Sequence, residues 1–233
     1  MWVAMKVIIS TSNDYLIFCP GMFFLMEKNW DGIKDEDVIL LCYDVPTGVP
    51  DWIQVESLGT QPPSKAWSTK SLIRYFSDLS EPFFLVLEDC WLMHKVDTKS
   101  VDILYSEVEK TAAKADLSDF ISTRKHTQYE SYEDIILLDQ SENYRNCLQP
   151  SIWSPDYFRQ FLVEGQTAWE FETKGMEKAK NDGKIIISMR QEVFAHGNFC
   201  LRGKFNHKFL SSIDQKLLDE MTERGMIPDM ENV

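Results

Sequence analysis

The sequence predicts an α/β fold, a mixed, mostly parallel sheet flanked by helices, and three observations predict it. Phe83 to Leu87 is an apolar run that comes after Pro82 and stops at Glu88 and Asp89, the pattern of a strand buried on both faces. Lys6 to Ser10, Lys-Val-Ile-Ile-Ser, is a β-branched strand. Strand and helix patterns then alternate through the first third of the chain, as parallel pairing requires.

After the first strand, Thr11 to Asp14 is a polar loop, and Asn13 or Asp14 is placed to cap the next segment. Tyr15 to Trp30 fits a helix face, with the helix starting at or after Pro20. Val38 to Tyr43 and Ile53 to Ser57 read as the second and third strands. Trp67-Ser68-Thr69 opens a helix to about Leu79, with Ser68 or Ser64 as its cap. Val101 to Ala115 has helical spacing, and Phe120 to Ser122 and Ile135 to Leu138 read as strands. Pro155 to Leu162 is a short helix that Gly165 breaks, and Trp169 begins another through about Lys180. Asn181-Asp182-Gly183 is a turn, Ile185 to Met189 the last strand, and Ser211 to Arg224 an amphipathic helix before a frayed end.

A chain of 233 residues suits one large domain or two small ones, and is read as a single domain with 1–97 and 98–210 as its two halves and 211–233 as a terminal helix and tail. The net charge of −13 argues against broad binding to nucleic acid or to an anionic membrane, although a nucleotide needs only a local pocket. No apolar run approaches the roughly 18 residues of a membrane span, and the start lacks the features of a signal peptide. The five cysteines are scattered and form no CxxC pair, so reduced thiols in a cytoplasmic protein are expected.

Chemistry is sought first at Glu88 and Asp89, because ligands of open α/β sheets bind at the carboxyl ends of strands. Paired acids there suit a divalent cation, and the cation a phosphate; helix capping is the plainer alternative. The sequence contains no G-x-x-x-x-G-K-[ST], G-x-G-x-x-G or G-x-S-x-G. His196, beyond a strand and before Gly197, is placed to reach a site, although a lone histidine is more often structural. Glu170, beside Trp169, is a candidate base, against the simpler preference of acids for a helix's first turn. Arg202 and Lys204 are cations suited to a phosphate, or to a surface ion pair.

Several of these pieces resemble one family. A strand ending in acids after a helix opened by Trp67-Ser68 resembles the donor-binding half of GT-A glycosyltransferases. Leu148-Gln149-Pro150-Ser151-Ile152-Trp153, Trp169-Glu170-Phe171-Glu172 and Arg202-Gly203-Lys204 resemble small bacterial and viral sugar transferases. There an LQ-x-x-IW segment precedes WEFE and a GKW-like segment, for which this chain has Phe205. The resemblance runs from about Lys6 to Asn206 and implies a GT-A-like (Rossmann-like) fold with 1–97 as the nucleotide-binding half. It further implies a nucleotide-sugar donor, a saccharide or other hydroxyl acceptor, and Mn²⁺ or Mg²⁺ on the donor's diphosphate. Glu88, Asp89 and His196 are its metal candidates, with Cys90 where the usual D-x-D has an acid. Ser10, Ser12, Asn13, Asp14 and Trp67 would meet the nucleotide, Arg202 and Lys204 the phosphates, and Glu170 would be the base. Trp153 and Trp169 would shield these charges from water. A nucleotidyltransferase on a related sheet and a binding protein of this fold without turnover are the competing readings.

Overall fold

A computed structural model describes residues 4–62, 66–118, 124–129, 132–201 and 204–228. Its centre is a nine-stranded sheet in the order β3-β2-β1-β4-β9-β6-β10-β8-β7. The strands are β1 (Lys6–Ser10), β2 (Asp37–Cys42), β3 (Gln54–Ser57), β4 (Phe83–Leu87), β6 (Lys114–Asp116), β7 (His126–Gln128), β8 (Ile135–Leu138), β9 (Ser151–Trp153) and β10 (Ile186–Met189). The ladders β1–β2, β1–β4, β2–β3 and β6–β10 are parallel. The others are antiparallel, and only β8 and β9 run against the remaining strands. The sheet spans both halves of the chain because β9 pairs with β4 on one side and β6 on the other.

Alternation along each strand divides the apolar residues between two layers. Val7, Ile9, Phe84, Val86, Ile152 and Ile187 face one layer. It holds α1 (Cys19–Asn29), α3 (Thr98–Lys110) and α6 (Gln215–Glu223). Ile8, Phe83, Leu85, Trp153 and Ile186 face the other. That layer holds α2 (Lys70–Asp78), α4 (Pro155–Arg159) and α5 (Ala168–Ala179). Phe83 to Val86 are all buried, so the central strand has core on both faces, as its unbroken apolar run requires. No helix among the described residues is long and apolar enough to cross a membrane.

Several boundaries differ from the sequence reading. Thr69, and not Ser68, caps α2 by accepting the Leu72 N–H; Ser64 lies outside the described residues. The helix read over Val101 to Ala115 ends at Lys110, and Lys114–Asp116 becomes a strand, because a parallel place beside β10 is open to it. Ile185 to Met189 is not the last strand. β11 (His196–Asn198), β12 (Cys200–Leu201) and β13 (Lys204–Phe205) come after it, with β11 pairing β5 (Cys90–Leu92). Phe120 to Ser122 lies outside the described residues. Trp153, expected near the charges, is fully buried beneath the sheet with the Lys114 ammonium 4.5 Å from its ring centre.

Strand β5 matters because it begins where the two acids end. Trp91 anchors it: the side chain is fully buried, its indole N–H donates to the Phe18 carbonyl at 3.1 Å, and its ring stacks on Phe199 at 4.5 Å. Gly21 of α1 lies directly against that ring, where an added Cβ would come within 2.4 Å of it. This close packing fixes the position of the turn that carries Glu88 and Asp89.

Candidate functional site

Glu88 and Asp89 form the turn between β4 and β5. The Asp89 carbonyl accepts the Phe199 N–H at 2.8 Å, and its carboxylate accepts the Cys200 N–H. Cys90, where an acid would complete D-x-D, does not line the cleft: it is 2 % exposed, and its one thiol proton is shared between Asn198 Oδ1 at 3.4 Å and Asp89 Oδ1 at 3.8 Å. Position 90 therefore serves the β5–β11 junction.

The pair is electrostatically strained. Burial pushes the Glu88 carboxyl well above the usual range, and the neighbouring Asp89 charge adds to this. Burial also pushes Asp89 up to about 6, despite its hydrogen bonds from Cys90 and Cys200. Neither carboxylate forms an ion pair with another described residue. A buried and a half-buried acid side by side without a cation disfavour their shared ionised state, and a proton or a bound cation relieves them.

Both acids open onto a cleft of about 420 Å³. The end of β1 supplies Thr11, Ser12, Asp14 and Tyr15, and the segment before α2 supplies Gln61, Ala66 and Trp67. Leu87, Glu88 and Asp89 form the wall at the end of β4, and Cys200 lies beside them. Thr167, Ala168 and Trp169, at the start of α5, close the cleft from the second half of the chain. The site thus lies at the carboxyl ends of parallel strands.

Hydrogen bonds between the walls hold this shape. Asn13 Nδ2 donates to Asp44 Oδ2 at 2.7 Å, and the Asp44 N–H returns a bond to Asn13 Oδ1 at 3.0 Å. The Asn13 N–H donates to Gln61 Oε1 at 2.6 Å. The Trp67 indole N–H donates to Ser10 Oγ at 3.1 Å. The backbone N–H groups of Trp67 and Ser68 both donate to the Gln166 carbonyl, at 2.8 and 2.9 Å, which ties the α2 approach to the α5 approach.

The residues singled out in the sequence therefore separate. Ser12, Asp14, Trp67, Glu88 and Asp89 line the cleft. Ser10 and Asn13 stand behind its wall as supports. His196 does not line it: Nε2 lies 2.8 Å from Gln149 Oε1, Nδ1 lies 3.2 Å from the Phe194 carbonyl, and burial pushes its pKa down to about 4. A ring so held stays neutral and packs inside the fold. Lys204 is exposed on β13 and does not line the cleft, and Arg202 lies outside the described residues. Glu170 does not line it either. Its carboxylate accepts the Thr167 N–H at 3.0 Å while Thr167 Oγ1 accepts the Glu170 N–H at 3.1 Å, and Lys174 Nζ lies 2.7 Å away. This capping box and ion pair hold the carboxyl below its ordinary value, Lys174 contributing most. Thr11, within the Ser10 to Asp14 loop, and Trp169, expected over the charges, line the cleft as well, whereas Tyr15, Gln61, Thr167 and Cys200 were not foreseen as site residues. None of these four carries a motif in the sequence.

Among the described residues, no group of three or more His, Cys, Asp or Glu side chains is placed to hold a metal ion. The two strand-end carboxylates fit a different kind of cation, one bound by one or two acids that completes its shell with water and phosphate oxygens, as Mg²⁺ does.

No family model matches the chain, and no curated protein matches its sequence. Solved structures match its fold. One is Staphylococcus aureus TarS, residues 1–349, in complex with UDP, with 13 % identity and a TM-score of 0.55. The same fragment in complex with UDP-GlcNAc has 13 % identity and a TM-score of 0.52. The alignments cover 83 % of this chain and 59 % or 57 % of those structures. The chain has a GT-A-like glycosyltransferase fold and spans less than two thirds of the length of these structures.

Proposed function

We propose that the protein is a glycosyltransferase that moves a sugar from a nucleotide-diphosphate sugar to an acceptor hydroxyl. The observation that carries this reading is the unneutralised Glu88–Asp89 pair at the end of the central strand, Glu88 buried and Asp89 half-buried, open to a nucleotide-sized cleft. Solved structures of the same fold hold UDP and UDP-GlcNAc, which supports this reading. A nucleotidyltransferase would want glycine or a cation in the first loop, and Ser10 to Asp14 contains neither.

In the reaction the acceptor oxygen attacks the anomeric carbon, the bond from that carbon to the diphosphate oxygen breaks, and the hydroxyl proton passes to a base. Glu88 and Asp89 would hold a divalent cation, Mn²⁺ or Mg²⁺, whose chemistry is to neutralise charge on the leaving diphosphate. The β1 loop and Gln61, fixed through Asn13 and Asp44, form the wall for the nucleoside. Trp67, held by Ser10, and the α5 start exclude water from the opposite side.

The decisive measurement is thermal melting with UDP, GDP, CDP or ADP, each with and without Mn²⁺. At a ligand concentration near 100 times Kd the expected stabilisation is about 2.7 kcal/mol. For a chain of this size that raises Tm by roughly 5–10 °C. Mn²⁺ should enlarge the effect of the preferred nucleotide. No rise with any of the four, with or without metal, refutes the reading.

Glu170 as base requires its carboxylate to exchange Thr167 and Lys174 for the acceptor hydroxyl. Glu170→Gln separates the roles. Loss of a general base costs roughly 10²–10⁴ in transfer rate. A residue that serves only the helix start keeps its cap as Gln, which still accepts the Thr167 N–H, and loses only the weak exposed pair with Lys174, so transfer and stability are both spared. With the carboxylate engaged in the capping box, the second result is expected, read from transfer rate and urea midpoint together.

A further inference from the structure

We infer that Trp169 is the stacking platform for an uncharged saccharide acceptor; the inference rests on the transferase reading and names the acceptor class. Trp169 is 64 % exposed, the most exposed of the large apolar side chains among the described residues. Trp30, Trp91 and Trp153 are buried, and Trp52 and Trp67 are half-buried. Leaving one indole in water is unfavourable unless a ligand covers it, and this one lies on the cleft wall. Its ring packs on no other described ring, and its N–H has no hydrogen-bond partner among the described residues. Both its apolar face and its polar edge are therefore available.

The backbone beneath it is fixed. The Thr167–Glu170 capping box closes around the residue, and Thr173 Oγ1 donates to the Trp169 carbonyl at 2.8 Å. Two residues on, Phe171 is fully buried against Trp67 and Phe158, which locks the first turn of α5 to the core. A rigidly mounted, exposed indole is a preorganised binding surface.

The surrounding chemistry selects the occupant. A pyranose has an apolar C–H face for an indole and a rim of hydroxyls for polar groups. The same cleft offers Thr11, Ser12 and Thr167 hydroxyls and the carboxylates of Asp14, Glu88 and Asp89 as acceptors. No Lys, Arg or His is among the described lining residues, so an anionic acceptor meets like charge. The acids lie at the end of β4 and the indole at the start of α5, on separate walls. This leaves the β4 side for the donor diphosphate and the α5 side for the acceptor ring.

The test uses chitotriose, maltotriose and, as an anionic control, trigalacturonate, titrated by saturation-transfer NMR in the presence of UDP and Mn²⁺. At least one neutral trisaccharide should bind. Trp169→Phe should weaken it several-fold and Trp169→Ala about tenfold or more, with the UDP-dependent melting shift as the control for folding. Equal binding by the Ala variant, tighter binding of trigalacturonate, or no neutral binding while wild-type protein still responds to UDP, overturns the inference alone. No response of the wild-type protein to UDP or the other nucleotides overturns the transferase reading beneath it.

Discussion

Asp89→Asn is expected to give a protein that is more stable and inactive at once. In the folded chain burial pushes the Asp89 carboxyl from 3.8 up to about 6. The folded state therefore holds this proton more tightly than the unfolded state. Its contribution to stability is fully present below pH 3.8, falls as pH rises between 3.8 and about 6, and is absent at pH 7. The shift corresponds to a cost of up to about 3 kcal/mol at neutral pH. Asn has nearly the same shape and still accepts the Cys200 N–H, yet carries no charge. The variant should thus melt higher than wild type at pH 7 without metal, and the gap should close as pH falls toward 4. Mn²⁺ with UDP should stabilise wild type and leave the variant nearly unmoved. Donor turnover should drop about 10²-fold or more, the scale expected when charge stabilisation at a leaving group is removed. A variant no more stable than wild type at pH 7, or one with undiminished turnover, contradicts the strain assigned to this pair.

The second large effect lies outside the cleft. Arg145 is fully buried and donates five hydrogen bonds. Nε reaches the Ala179 carbonyl at 2.8 Å, and Nη1 reaches those of Leu138 and Asp139 at 3.3 and 3.1 Å. Nη2 reaches the Lys184 carbonyl at 2.7 Å and Asp182 Oδ1 at 3.1 Å, and Tyr157 donates to the other Asp182 oxygen at 2.8 Å. One guanidinium so joins the ends of β8 and α5 to the turn that enters β10. Arg145→Met fills much of the volume but removes five donors at once, although the Lys184 and Asp139 carbonyls and Asp182 keep Gln140, Glu142 and the Lys184 N–H as partners. The expected loss is about 3–5 kcal/mol, read as a lower urea midpoint with an unchanged slope. A loss below about 1 kcal/mol would mean that water replaces the guanidinium at little cost.

How much was legible depends on how local each signal is. β1 and β4 were placed to the residue because each has a continuous apolar or β-branched centre with marked ends. α1 was found because Pro20 sits in its first turn, a position that proline favours. β9 was missed because Ser-Ile-Trp is three residues long, and only its two partners make it a strand. β5 was hidden inside the apolar run it shares with β4. At the site, the acid pair was legible from its place at a strand end. His196 and Glu170 looked chemical in sequence, and each is engaged by a neighbour that no motif announces, Gln149 for one and Lys174 for the other. Gln61 and Thr167 reach the cleft through backbone pairings such as Trp67 to Gln166, a separation no local pattern encodes. Arg145 carried no signal, since a buried arginine and a surface one read alike in sequence.

The insertion of β9 between β4 and β6 has a kinetic consequence. β4 and β6 are made early, but the strand that unites them arrives only with Ser151 to Trp153. Until then each exposes a row of unsatisfied amides to any passing edge. Loop-closure entropy is spent before this three-residue keystone repays it, so joining the two halves is a late, slow event. While the ribosome is still at work, β4 and one edge of β6 stay open to mispairing until residue 153 is made, and the other edge of β6 until β10 arrives at 186–189.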